Sequence, residues 1–227
     1  MTRPLTIISS MATRGSLSEL AASFTATTGR AVEVTSVGGV DAAKRLRSGE
    51  AFDVVVLASA ALQMLAKEGF VAGESMAVLA RSPTALAVRR SAPRPSRCDE
   101  ESIKAVLFTA RGIGVSSGPS GGLVRKLVAD WGLGSAVVAR LVEAPPGVPV
   151  ASLIAAGDVD VGFQQLSELL GAPGIDIVGT IAPAIIPWTD FSVGRTPDSA
   201  SGVEALIDHL VSRDAAAVFA RHGLQRP

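Results

Sequence analysis

Three short segments of this sequence gather hydroxyl and small residues where donors could surround an anion: Ser9-Ser10-Met11-Ala12, Ala58-Ser59-Ala60 and Ser116-Ser117-Gly118-Pro119-Ser120-Gly121-Gly122. Each follows an apolar, strand-like run. In open α/β sheets ligands sit beyond the carboxyl ends of the strands, where loop N–H groups and helix N-termini face a common space. A negative group there would be held by backbone N–H, Ser hydroxyls and the positive end of a helix, with no buried Lys. Each loop also has an ordinary structural use, since Ser caps helices and Gly makes turns. Together they predict a binding site drawn from Ser10, Met11, Ser59, Ser117, Ser120, Gly121 and Gly122. The run from 116 to 122 is the richest, with donors and glycines immediately before an expected helix. No Lys-Ser/Thr follows its last Gly, so it is not a Walker loop and nucleotide hydrolysis is not expected.

Arg14 and Arg81 lie just after a strand or at an expected crossing between lobes, where a guanidinium could grip a carboxylate bidentately or stand as a solvated surface charge. Ser120 has no G-x-S-x-G elbow around it, and His209 and His222 both fall in the C-terminal helical region, which argues against a Ser-His-Asp hydrolase. The lone Cys98 has no second cysteine to pair with. Two histidines at the far end of the chain do not complete a zinc site with it. No metal and no cofactor are expected.

The elements that must position these residues follow from composition and period. The 227 residues are 48% hydrophobic and 19% charged, enough for one large domain or two modest lobes with cores of their own. The 21 basic and 21 acidic residues cancel, which leaves no electrostatic footprint for nucleic acid. Mean hydropathy is positive, at +0.39. The apolar runs are nevertheless short and interrupted, whereas a bilayer span needs roughly 20 apolar residues, so membrane insertion is not expected. Leu5 to Ser10 is a short apolar run ending in two serines, a first strand rather than a secretory signal. The chain as written is therefore expected in the cytoplasm, or in the periplasm if a leader has been removed.

Strands are predicted at Leu5 to Ile8, Val32 to Val37 and Phe52 to Leu57. Helices are predicted from Ser16 to a Gly29 cap, over Asp41 to Ser48 and over Ala60 to Lys67. A second series starts at Ala85 to Val88. It continues through helix Ile103 to Thr109, strand Gly112 to Ser116, helices Leu123 to Trp131 and Pro149 to Ala156, strand Val159 to Gln164 and strand Ile175 to Ile181. The chain ends in a helical stretch, Gly202 to Phe219. Strands alternating with helices predict open α/β lobes, with residues 1–82 and 189–227 in one lobe and 83–188 in the other.

This succession resembles the molybdate-type solute-binding proteins of ABC transporters, which have the type II periplasmic-binding-protein fold. The likeness is carried by Ser9-Ser10, by Phe52-Asp53-Val54-Val55-Val56 with Ser59, by Ser117-Gly118-Pro119-Ser120-Gly121-Gly122, by the run from Ile154 to Gln165, by Ser167-Glu168-Leu169, and by Pro173-Gly174-Ile175-Asp176-Ile177-Val178-Gly179. It implies two open sheets flanked by helices, a hinge, and a cleft between the lobes. It also implies that Ser10, Ser59, and Ser120 with Gly121 hold an oxyanion, with Gln165 where the family has a closing Tyr. This chain has no Tyr at all. That departure, with Arg14 and Arg81, points towards an organic carboxylate as much as towards molybdate.

The branch it most resembles includes aconitate-isomerase-like proteins, whose chemistry needs a positioned base and donors for an enolate-like carboxylate. Glu168 is the candidate acid or base, and a helix-start residue otherwise. Two readings follow: a binding protein for a small anionic ligand, with an ABC permease as partner if exported, and a cytoplasmic isomerase of a polycarboxylate.

Overall fold

The apolar runs become the strands of two separate five-stranded sheets in the computed structural model, which describes residues 3–227. The chain divides into two units. One runs to Ser82 and resumes over Asp190–Pro227, and the other is Pro83–Thr189.

The first unit begins with β1 (Leu5–Ser10), α1 (Arg14–Thr28), β2 (Val32–Val37), α2 (Gly39–Arg47), β3 (Val54–Ala58), α3 (Ser59–Lys67) and β4 (Ala77–Ser82). The second contains β5 (Thr84–Arg89), α4 (Glu100–Thr109), β6 (Ile113–Val115), α5 (Pro119–Asp130), α6 (Ser135–Val138), β7 (Leu141–Glu143), α7 (Val150–Ala156), β8 (Val161–Gln165), α8 (Leu166–Leu169) and β9 (Ile175–Thr180). The chain then adds β10 (Thr189–Arg195), α9 (Val203–Leu210) and α10 (Ala215–Arg221) to the first unit's elements.

The sheet of the first unit has the order β2-β1-β3-β10-β4, with β1 parallel to β2 and β3, and β10 antiparallel to β3. Its central strand β3 is apolar without a break because both of its faces are covered. Val54 and Val56 face a cluster with Leu17, Leu20 and Phe24 of α1 and Leu206 and Leu210 of α9. Val55 and Leu57 face the opposite one, with Leu46 of α2 and Leu62 and Leu65 of α3. All four side chains are fully buried, each a gain of about 1.5–3 kcal/mol over exposure.

The second sheet has the order β7-β6-β8-β5-β9, with β6 parallel to β7 and β8, and β5 antiparallel to β8 and β9. Helices α4 and α5 cover one face and α7 the other. Helix α7 lies so close that a Cβ on Gly114 or Gly162 would come within 2.8 or 2.5 Å of Val150 Cγ1. Only glycine permits that approach.

Two expected elements are sharpened. The helical stretch from Gly202 to Phe219 divides into two helices, α9 and α10. Phe219 lies nine residues beyond Leu210, which at about 100° per residue would turn it to the opposite side of a straight helix. The break lets both side chains enter one core cluster, and Ser212 Oγ accepts the Ala215 N–H at 3.3 Å to start α10. Helix α5 starts at Pro119 rather than Leu123. Proline suits the first helical position because it has no N–H to leave unbonded. Ser120, Gly121 and Gly122 therefore belong to the helix's first turn, not to a loop before it.

Candidate functional site

In the first unit, the parallel register Ser9↔Val56 brings the carboxyl ends of β1 and β3 to the same edge of the sheet. Ser10 leaves β1 buried, its Oγ accepting the Ala12 N–H at 3.3 Å and so starting the one-turn 3-10 helix Met11–Thr13. Ser9 Oγ stands 2.8 Å from Ser36 Oγ of β2. Ser59 opens α3, and its Oγ is 2.7 Å from Ser192 Oγ of β10, a residue 133 positions away. Arg14 is the exposed first residue of α1. Arg81 sits within β4, exchanging backbone hydrogen bonds with Gln225 and pairing with Asp190 at 3.5 Å. Its guanidinium is thus already matched by a carboxylate.

In the second unit, β6 and β8 run parallel with Val115 opposite Phe163. The loop at Ser116 and the end of β8 at Gln165 accordingly share one edge. Ser120 is buried, and its Oγ lies 3.0 Å from Ser116 Oγ. Ser117 is exposed. Gly121 packs against the loop so tightly that a Cβ there would sit 1.7 Å from the Ser116 carbonyl oxygen, whereas Gly122 has open space around it. The Ser120 and Gly121 N–H groups at the start of α5 have no intrahelical acceptor, as at any helix start, whereas the Gly122 N–H bonds to the Gly118 carbonyl at 3.2 Å. Gln165 is buried and donates through Nε2 to Thr189 Oγ1 at 2.8 Å.

Glu168, in α8, receives a hydrogen bond from Gln164 Nε2 at 2.7 Å. Burial pushes its carboxyl up to about 7, and the bond from Gln164 opposes that rise. Such a group is poised to gain or lose a proton near neutral pH. The contrasting carboxylate is Asp53, at the start of β3. Burial alone would raise it, but bonds from Arg3 and from the N–H groups of Ala200 and Thr6 outweigh burial and hold it at about 2. Asp53 is a structural tie between β1, β3 and the segment before α9.

Sequence reasoning missed Ser36, Ser192, Gln164, Thr84 and Thr189. Ser36, Ser192, Thr84 and Thr189 reach the site's residues only through strand pairing or a turn far along the chain and stand in no motif, whereas Gln164 lies in the run from Ile154 to Gln165 and its bond to Glu168 spans four residues. At the opposite edge of the second sheet a cavity of about 440 Å³ is lined by Arg89, Arg111 and Asp160. Asp160 already takes two hydrogen bonds from the Arg111 guanidinium. Among the described residues no His/Cys/Asp/Glu group could hold a metal ion, and no helix is long and apolar enough to cross a membrane.

Two mixed sheets flanked by helices, with the chain passing from one to the other and back, define a periplasmic-binding-protein fold. The chain belongs to the bacterial extracellular solute-binding protein family, which matches it over residues 5–225. The periplasmic molybdate-binding protein of Azotobacter vinelandii superposes with a TM-score of 0.82 at 22% identity, over 98% of this chain and 99% of that one. The sulfate-binding protein SubI of Mycobacterium tuberculosis H37Rv gives 0.77 at 16% identity, over 98% and 86%. These two likenesses are of fold. A nearer relative by sequence is an aconitate isomerase of a Pseudomonas species, 34% identical over 229 residues, 97% of this chain and 87% of that protein.

Proposed function

We propose that the chain binds a small oxyanion or organic carboxylate, with Ser10, Ser59, Ser120, Gly121 and Gln165 as candidate contacts. The observation that supports this best is the set of three Ser–Ser hydroxyl pairs at the carboxyl edges of the sheets: Ser9 with Ser36, Ser59 with Ser192, and Ser116 with Ser120. In each pair one hydroxyl donates to the other, which leaves the second proton free for a ligand. Three such protons, with the N–H groups at the start of α5, suit a partner rich in acceptor oxygens. As a carrier the protein would work outside the cytoplasmic membrane and pass its ligand to an ABC permease. The test is thermal unfolding with molybdate, tungstate, sulfate, phosphate, cis-aconitate and trans-aconitate. A ligand at 100 times its Kd should stabilise the fold by about 2.7 kcal/mol. Stabilisation by none of them would refute the reading.

A second reading is favoured by the 34% identity to an aconitate isomerase together with the raised Glu168 carboxyl. Glu168 would take a proton from the allylic carbon of a bound polycarboxylate and the double bond would shift. The Glu168 carboxylic acid would exchange its proton with water and then deliver a proton to the far end of the allylic system. Ionised Glu168 is regenerated and no redox partner is needed. In heavy water the substrate should gain deuterium at the allylic carbon, and Glu168→Gln should slow exchange far more than it weakens binding. Binding of aconitate without exchange or interconversion would leave the carrier reading alone.

A further inference from the structure

Several polar atoms of the Pro83–Thr189 unit are buried without a hydrogen-bond partner, among them Thr84 Oγ1 and Gln165 Oε1. Thr84 is 0% exposed and Gln165 1%. Buried polar atoms are bonded in the great majority of cases, so an orphan in a site calls for a ligand atom of matching sense. Two such orphans lie together. Thr84 and Gln165 are direct partners across the antiparallel pair β5–β8, which sets their Cβ atoms about 5 Å apart on one face of the sheet. Leu86 and Phe163, two residues along each strand, face the cluster shared with Val124 of α5. The pair therefore stands on the α5 side, at the edge where Ser116 leaves β6.

The sense of each orphan is also defined. Gln165 has committed its amide nitrogen to Thr189 Oγ1, so its unpartnered atom is the carbonyl oxygen, which can only accept. The Thr84 hydroxyl can donate. A fully ionised oxyanion brings acceptors alone and would oppose the Gln165 oxygen; an acid carrying its own O–H would satisfy both residues. We propose that Gln165 is a specificity-determining residue that selects an acid bearing an O–H group, a hydroxy acid or a partly protonated oxyanion, over one that bears none, while Thr84 is a donor to either kind of acid. This rests on the anion-binding reading above.

The experiment is calorimetry at neutral pH with two matched pairs of probes: citrate against tricarballylate, which lacks only the hydroxyl, and inorganic phosphate against sulfate. The wild-type protein should prefer the O–H-bearing member of whichever pair it binds by about tenfold. Gln165→Met, which keeps the length and removes the acceptor, should abolish that preference. Thr84→Val, which keeps the shape, should weaken both members about tenfold and leave the ratio unchanged. If Gln165→Met does not fold, the wild-type ratio and Thr84→Val still decide. Equal binding of both members, preference for tricarballylate or sulfate, or unchanged affinity in Thr84→Val would overturn the proposal while the anion site stands. A wild-type protein that binds none of the four would overturn both.

Discussion

Gln164 holds Glu168 and is itself anchored: its Nε2 donates to Glu168 Oε2 at 2.7 Å, while its Oε1 accepts the Val150 N–H at 3.0 Å. Val150 is the first residue of α7 and Gln164 belongs to β8, so a strand and a helix start jointly orient one carboxyl group. Neither end of the amide is free to turn away.

This relationship predicts a stability effect of pH. The folded Glu168 carboxyl titrates near 7, above its ordinary value of 4.5. Between those values the folded state holds a proton that the unfolded state has released, so stability falls as pH rises from about 4.5 through about 7. Glu168→Gln should remove that component. Urea unfolding of both proteins at pH 5 and pH 8 should show a smaller loss in the variant, and parallel losses would disprove the assignment.

Asp53 works in the opposite direction. Its folded pKa of about 2 lies below the ordinary 3.8, so its contribution is complete above about 4 and is lost as pH falls towards 2. Asp53→Asn should destabilise the protein by about 2–3 kcal/mol at pH 7, the scale of hydrogen bonds to a buried charge, and by much less at pH 2.5. A pH-independent difference would mean that shape rather than charge is at stake.

Adjacent glycines should behave differently. Gly121→Ala would drive a methyl group to 1.7 Å from the Ser116 carbonyl oxygen, shifting the loop and costing at least about 1–3 kcal/mol. Gly122→Ala meets nothing within 4 Å and should be neutral or stabilising by up to about 1 kcal/mol, since alanine favours the helix. Melting temperatures of the two variants test the contrast directly.

Ser120→Ala should lower the affinity for whichever anion the wild type binds by about 1.5–3 kcal/mol, the loss of a donor to a charged group. Ser117→Ala, at an exposed position, should lose far less. Calorimetry showing equal affinities for Ser120→Ala and the wild type would make Ser120 a purely structural partner of Ser116.

Much was legible from local pattern. The unbroken run from Val54 to Leu57 announced a strand covered on both faces, and the hydroxyl-bearing segments after Ile8, Leu57 and Val115 announced donors at strand ends. Both follow from chain geometry over a few residues, where alternate side chains of a strand point to opposite faces. Even the start of α5 had a local signal in Pro119, although the following glycines read as a loop. What only the tertiary structure decided is who meets whom. Ser192 reaches Ser59 because β10 inserts beside β3; Thr84 faces Gln165 because β5 pairs antiparallel with β8; Asp53 is tied to Arg3 and Ala200 across the first unit. Strand order and register are set by which arrangement buries all the apolar faces at once. That is a property of the whole chain, and no window of sequence contains it.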